Sequence, residues 1–347
     1  MAARHLLSAL VLAGLGLAGC LGDRSEAPAD AGTGAVDFTP VAPRLAEPAL
    51  REDLRFLADP ALEGRKIGTP GSQRARAYLV QRFADLGLLP VGEAFERPFS
   101  WRGTAGVNVV GRLVGSRHPE RIILVSAHYD HVGIRSGMVH PGADDNASGC
   151  AALLQMAAWL KAHPPAHTVL FCLFDGEESG LYGSQAFVAA PPVAMADIAV
   201  VLNLDMVAQG TRGRIFVGGT TFTAALRPHL LAAYASSKVA VVPDFEADVA
   251  RSDQYPFMQR GIPFLFFCVG DDDPWYHTPQ DSFERIPAVF YWASTEAILE
   301  TFLRLDALDG LPQLLPHARS RPAPAGQPSL RPRPWRWLPR DRASGEP

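Results

Sequence analysis

Lysine is almost missing from this chain of 347 residues: Lys66, Lys161 and Lys238 are the whole supply. The other basic residues are arginines, and the formal net charge is -4. Nothing in that balance suggests the basic face that nucleic-acid binding needs. With so much Ala and Pro alongside, the Arg usage reads as composition bias and not as a phosphate-binding signal. Cysteine is also scarce, with four in the chain. Long apolar runs are lacking as well. The longest, Leu6 to Ala18, is too short to cross a bilayer comfortably, which takes about 20 residues. No internal repeat is evident.

That run does fit the apolar region of a signal peptide over residues 1–19, with Arg4 and His5 ahead of it. It ends in Leu17-Ala18-Gly19-Cys20, which resembles the bacterial lipobox and implies acylation of Cys20. A multiply acylated terminus anchors stably, whereas one chain alone is marginal. The expected location is therefore the cell envelope, lipid-anchored. Leu21, not Asp, follows the cysteine, which favours the outer membrane if the source is Gram-negative. The alternative is an ordinary secretory signal with an incidental cysteine. Residues 20–44, rich in Ala, Pro, Gly and Asp, read as the lipidated cysteine and a flexible tether. Residues 311–347 are rich in Pro and Arg and read as a disordered tail, solvated and without function rather than lipid-bound. With Cys20 used, Cys150, Cys172 and Cys268 make an odd number in apolar segments, read as buried thiols.

Between tether and tail, over residues 45–310, apolar strands alternate with helices. Helical periodicity covers Leu50 to Leu57, Ser72 to Leu88, Ala147 to Ala162 and Ala288 to Leu305. Short apolar runs at Arg121–Ala127, Thr168–Phe174, Ile198–Leu204 and Phe264–Val269 read as buried strands. The predicted fold class is α/β: a single globular domain with a mainly parallel central sheet and helices on both faces.

Functional groups in such sheets gather at the carboxyl ends of the strands. Here the first strand ends in His128-Tyr129-Asp130 and the second in Asp175-Gly176-Glu177-Glu178. The third ends in Asp205, His277 follows the fourth, and Asp144-Asp145 precede the helix at Ala147. Singly, each reads more readily as a loop residue, a solvated acidic pair or N-cap chemistry. Jointly, two imidazoles and several carboxylates at the proper end of α/β units point to a metal site. Imidazole and carboxylate without thiolate suit Zn²⁺, with Co²⁺ or Mn²⁺ as substitutes. Two His and three carboxylates exceed what one catalytic zinc takes, and suffice for two metals if one carboxylate bridges.

Five segments then appear in order: Ala127-His128-Tyr129-Asp130, Gly142-Ala143-Asp144-Asp145-Asn146-Ala147-Ser148-Gly149, Gly176-Glu177-Glu178-Ser179-Gly180-Leu181-Tyr182-Gly183-Ser184, Asn203-Leu204-Asp205-Met206 and Tyr276-His277-Thr278-Pro279. Together they resemble metallopeptidase family twenty-eight, the two-zinc exopeptidases that include bacterial leucyl aminopeptidases, glutamate carboxypeptidase II and glutaminyl cyclases. Leu62-Glu63-Gly64-Arg65, Arg251-Ser252-Asp253 and Gly261-Ile262-Pro263 also fit, so the likeness runs from about Leu50 to Leu305.

The resemblance implies a zinc-exopeptidase fold. It makes His128 and Asp205 ligands of one zinc, Glu178 and His277 ligands of the other, and Asp145 the bridge. Asp130 would accept a hydrogen bond from His128. Glu177 would be the general base, taking a proton from water and passing it to the leaving amine. A cis peptide bond after the bridging aspartate, at Asp145–Asn146, is implied too.

Two departures stand out. Gln254 occupies a place where many relatives have His, and Val249-Ala250-Arg251 a stretch where some have Tyr. Oxyanion stabilisation then falls to Tyr255, Tyr276 or the zinc. The expected activity is removal of N-terminal residues from peptides. A carboxypeptidase, using Arg135, Arg212 or Arg251 for the substrate carboxylate, a glutaminyl-peptide cyclotransferase, and a non-enzymatic peptide-binding lipoprotein are the alternatives.

Overall fold

A computed structural model describes residues 38–311, apart from 41, 247, 248 and 310. The strands in chain order are β1 (Leu89–Pro90), β2 (Glu96–Trp101), β3 (Thr104–Leu113), β4 (His118–His128), β5 (Ile134–Arg135), β6 (Met138–Val139), β7 (His167–Phe174), β8 (Ile198–Leu204), β9 (Arg214–Gly218), β10 (Ala240–Pro243) and β11 (Phe264–Cys268). The α-helices are α1 (Glu47–Leu57), α2 (Pro70–Asp85), α3 (Gly149–Ala162), α4 (Tyr182–Ala189), α5 (Arg227–Tyr234), α6 (Tyr255–Met258) and α7 (Ala288–Asp306). Among the described residues one sheet runs in the order β1-β3-β7-β4-β8-β11-β9-β10 with β2 beside β3, and β5 and β6 form a separate hairpin.

The four strands read from the sequence are the centre of this sheet, β7-β4-β8-β11, and all their pairings are parallel. Every residue of β7, β8 and β11 is buried, which is why they read as unbroken apolar runs. Outside them the sheet turns mixed: β3 joins β7 and β9 joins β11 antiparallel. The centre is parallel as expected and the flanks are mixed, with β10 joining β9 in parallel at the edge. The flanking strands carry no continuous apolar run, because β2 is half-exposed along its length and β3 is interrupted by Gly106 and Gly111. Helices α4, α5 and α6 are too short to show a helical period in the sequence.

Helices cover both faces. Phe174 of β7 meets Phe187 of α4 at 5.8 Å and Phe257 of α6 at 6.3 Å between ring centroids. Phe171, three residues earlier and so on the opposite face, pairs with Gly111, against which Phe83 of α2 packs. On that second face Asp53 of α1 ties three helices. It accepts hydrogen bonds from Tyr78 Oη (2.6 Å) and Arg82 Nε (2.8 Å) of α2 and from Gln155 Nε2 (2.8 Å) of α3. Helix α2 starts on a Thr69 cap with Pro70 in its first turn.

The chain is packed earlier than the expected boundary at 45. Phe38 lies edge-on to Phe290 of α7 at 5.5 Å. The backbone N–H groups of Arg44 and Leu45 both donate to Glu296. An aromatic side chain and a charged anchor on α7 dock the end of the expected tether. Cys150, Cys172 and Cys268 are buried free thiols, and burial pushes the Cys150 thiol up to about 12. No described helix is long and apolar enough to cross a membrane. The expected signal peptide, Cys20 and the tail from 312 onward lie outside the described residues.

Candidate metal centre

The site forms where β4, β8 and β7 end. His128 is the last residue of β4, and Asp205 directly follows β8. Glu177 and Glu178 lie in the turn after β7, and His277 sits in the loop after β11. Asp145 comes from the irregular turn 143–148 that leads into α3.

Local chemistry explains why these loops converge. The peptide bond Asp145–Asn146 is cis, as the resemblance implied. The Asn146 side chain donates to the Leu204 carbonyl at 2.9 Å and accepts from Met206 N at 3.2 Å and Gly149 N at 2.9 Å. It thus straps the turn of Asp145 to the loop of Asp205. Gly149 is needed for this approach: a Cβ there would lie 2.4 Å from both Asn146 Oδ1 and the Leu204 carbonyl. Asp281 accepts the N–H groups of Asp144 at 2.7 Å and Asp145 at 3.1 Å, holding the turn from its other side. Arg65, fully buried, donates to the carbonyls of Tyr129 (2.8 Å), Pro141 (2.6 Å), Gly142 (2.9 Å) and Leu57. Its guanidinium clamps the loops on either side of the site and sets a positive charge beneath the carboxylates.

All five expected ligands meet, in two sets of donor atoms that share Asp145. One set is His128, Asp145 and Asp205; the other is Asp145, Glu178 and His277 together with His131. His128 Nε2 lies 3.2 Å from Asp205 Oδ1 and 3.3 Å from Asp145 Oδ1. His277 Nε2 lies 3.0 Å from Asp145 Oδ2 and 2.9 Å from Glu178 Oε1. One carboxylate therefore turns an oxygen to each set. Glu177 belongs to neither.

Asp130 differs in detail from expectation. The acceptor nearest His128 Nδ1 is the Asp130 carbonyl at 3.1 Å, with the carboxylate at 3.7 Å. That carboxylate instead receives the N–H groups of Glu177 (3.0 Å) and Glu178 (3.4 Å). Two adjacent amides of a tight turn outcompete one imidazole, so Asp130 positions the Glu177–Glu178 turn as well as facing His128.

His131 and Arg65 were not assigned to the site from the sequence. His131 follows the HxD triplet, and its spacing of three from His128 in a loop carries no periodic signal. Arg65 lay in a segment noted only for its resemblance. Gln254, the departure from the usual His, has a structural role: it accepts from Asn203 Nδ2 at 2.8 Å and donates to the Val249 carbonyl at 2.7 Å. Of the phenols considered for the oxyanion, Tyr276 is at the site, its ring stacked on His277 at 3.9 Å. Of the arginines considered for a substrate carboxylate, Arg212 faces Asp272 at 3.5 Å and Arg135 lies on the exposed hairpin.

The cluster demands positive charge. Burial disfavours a charged His128, but Asp205 and Glu177 overcome it and hold the imidazole well above its ordinary range. Burial likewise opposes His277, and Asp145 and Glu178 nonetheless carry it up to about 10. Asp145 is held well below the carboxylate range by His131, His128 and His277 against the penalty of burial. Carboxylates this buried are costly unless paired or metal-bound. Imidazole and carboxylate donors without thiolate suit zinc, which binds imidazole in its neutral form. The residues present fit that group.

Comparison with known proteins agrees. The model of peptidase family M28 matches residues 108–302, more than half of the chain. The chain belongs to peptidase family M28. This M28 chain is 32% identical over 244 residues to Aminopeptidase YwaD of Bacillus subtilis, an alignment covering 65% of the chain and 49% of that relative. It is 27% identical to a probable leucine aminopeptidase of Arthroderma otae, over 72% of the chain and 71% of the relative. The M28 fold is shared with BSAP, described as a zinc aminopeptidase from Bacillus subtilis: TM-score 0.63 at 17% identity, covering 74% of this chain and 94% of that one. The alignment thus spans about half the length of YwaD.

Proposed function

We propose that the chain is a zinc-dependent exopeptidase, an aminopeptidase that removes N-terminal residues from peptides. The observation that carries this is the pair of donor sets sharing Asp145, with the half-buried carboxylate of Glu177 beside both and part of neither. The names of the relatives support the aminopeptidase reading.

His128, Asp145 and Asp205 would hold one zinc, and Asp145, Glu178 and His277 the other. When bound, the pair polarises the scissile carbonyl and acidifies a water. Glu177 accepts the water proton and delivers it to the leaving amine. Burial, Asp205, Glu178 and Asp253 raise its proton affinity against the pull of His128, which suits a group that must hold a proton and release it. Asp130 keeps the turn of Glu177 and Glu178 in place through their N–H groups. The Tyr276 hydroxyl is the side-chain candidate for the oxyanion, since its ring stacks on His277.

The test is turnover of zinc-loaded protein on three substrate classes: peptides with a free N-terminus, N-blocked peptides with a free carboxylate, and peptides with N-terminal glutamine. Hydrolysis confined to free N-termini and abolished by chelator is expected. Cleavage of N-blocked peptides from the carboxyl end would establish a carboxypeptidase, and cyclisation without hydrolysis a cyclotransferase. Inactivity on all three with zinc bound would leave the peptide-binding alternative.

We also propose that Cys20 carries the lipid anchor that holds the chain at the cell envelope. The Leu17–Cys20 segment and the tether composition after it support this reading.

A further inference from the structure

His131 is fully buried, and neither ring nitrogen makes an aligned hydrogen bond among the described residues. Buried polar groups are almost always satisfied, so such a ring calls for a partner. Its Nδ1 points at the second donor set, 2.9 Å from Glu178 Oε1 and 3.6 Å from Asp145 Oδ2. The ring lies edge-on to that of His277 at 5.4 Å, so two imidazoles converge on the same carboxylates. One donor atom from each of His131, Asp145, Glu178 and His277 fits within 4.8 Å of all the others.

The ring is also held in place. Gly142, with φ +62°, passes so close that a Cβ there would lie 2.5 Å from His131 Cγ and 2.6 Å from Cδ2. Arg65 fixes the Gly142 carbonyl at 2.9 Å on the other side. The loop is therefore built around the imidazole.

We propose that His131 is a direct ligand, through Nδ1, of the metal held by Glu178 and His277. This rests on the zinc reading above and deepens it. The two positions then differ in kind. A tetrahedral zinc with three protein donors keeps a place for water or substrate, and one with four takes a further oxygen by expanding to five-coordinate, as catalytic zinc can. The His131–Glu178–His277 position with Asp145 offers four protein donors and is the more tightly held one, and the His128–Asp205 position with Asp145 offers three.

The experiment is zinc-edge anomalous diffraction on crystals of the zinc-loaded wild-type protein, with chelator competition on wild type, His131→Ala and His131→Gln. Two anomalous peaks are expected, one with His131 Nδ1 at roughly 2.0–2.1 Å. In solution both variants should lose about 100-fold or more in affinity for one zinc equivalent, beyond the 10–100-fold that loss of a mere orienting partner gives. Two peaks with His131 more than about 3 Å from either would overturn the ligand role, leaving His131 to orient Glu178 and the zinc reading intact. A wild-type protein that retains no zinc would overturn both. The wild-type crystal decides the matter even if neither variant folds.

Discussion

Glu177 and Glu178 are sequence neighbours with opposite electrostatics. Burial raises the proton affinity of both. Carboxylates around Glu177 add to that, whereas His131 and His277 outweigh it at Glu178 and hold it below its ordinary range. One side chain is thereby suited to move a proton and the other to stay an anion and bind metal. Glu177→Gln preserves shape and removes the proposed proton acceptor. Zinc content should stay at the wild-type level while kcat falls about 10²–10⁴-fold. Wild-type turnover in a fully zinc-loaded variant would show that another group takes the proton.

At the scale of elements, the end of α7 is pinned to the start of β7 through Asp306. Its carboxylate accepts the N–H groups of Ala166 and His167, both at 2.8 Å, and faces His167 Nδ1 at 3.1 Å. Burial works against the anion, but these partners win and hold Asp306 below its ordinary value. A carboxylate depressed in the folded state contributes stability that is fully present above its unfolded pKa of about 3.9 and is lost as pH falls through the lower folded value. Asp306→Asn should therefore cost roughly 1.5–3 kcal/mol at neutral pH, the worth of hydrogen bonds to a charged group. Thermal unfolding across pH should show the gap in Tm constant above about pH 5 and closing below about pH 4. A gap unchanged down to about pH 3 would mean the charge contributes nothing.

For the whole molecule, the proposed anchor and the proposed enzyme are separable. The described fold begins by Phe38, docked on α7, well after Cys20. Cys20→Ser should move the protein from the membrane to the soluble fraction of its native host and leave kcat/KM on peptides unchanged. An unaltered membrane fraction, measured by fractionation and immunoblot, would refute acylation as the attachment. Loss of activity on release would tie the active site to the membrane.

The sequence by itself determined the central four strands and the five clustered side chains. Buried parallel strands must be continuously apolar, and a site at their carboxyl ends must place its residues directly after those runs. His128, Asp205 and Glu178 were legible for that reason, and the Asp145 turn through its resemblance. Tertiary structure alone decided the rest. The flanking strands β2, β3 and β9 take their identity from the edges they pair with, since nothing in their own pattern is strong enough. His131 and Arg65 acquire their places only when loops far apart in the chain close on one another. Arg65 reaches Gly142 across 77 positions, and His131 meets Glu178 only where β4 and β7 lie side by side. Local spacing carries no record of such contacts, because the burial that makes an imidazole or a guanidinium matter is a property of the assembled core.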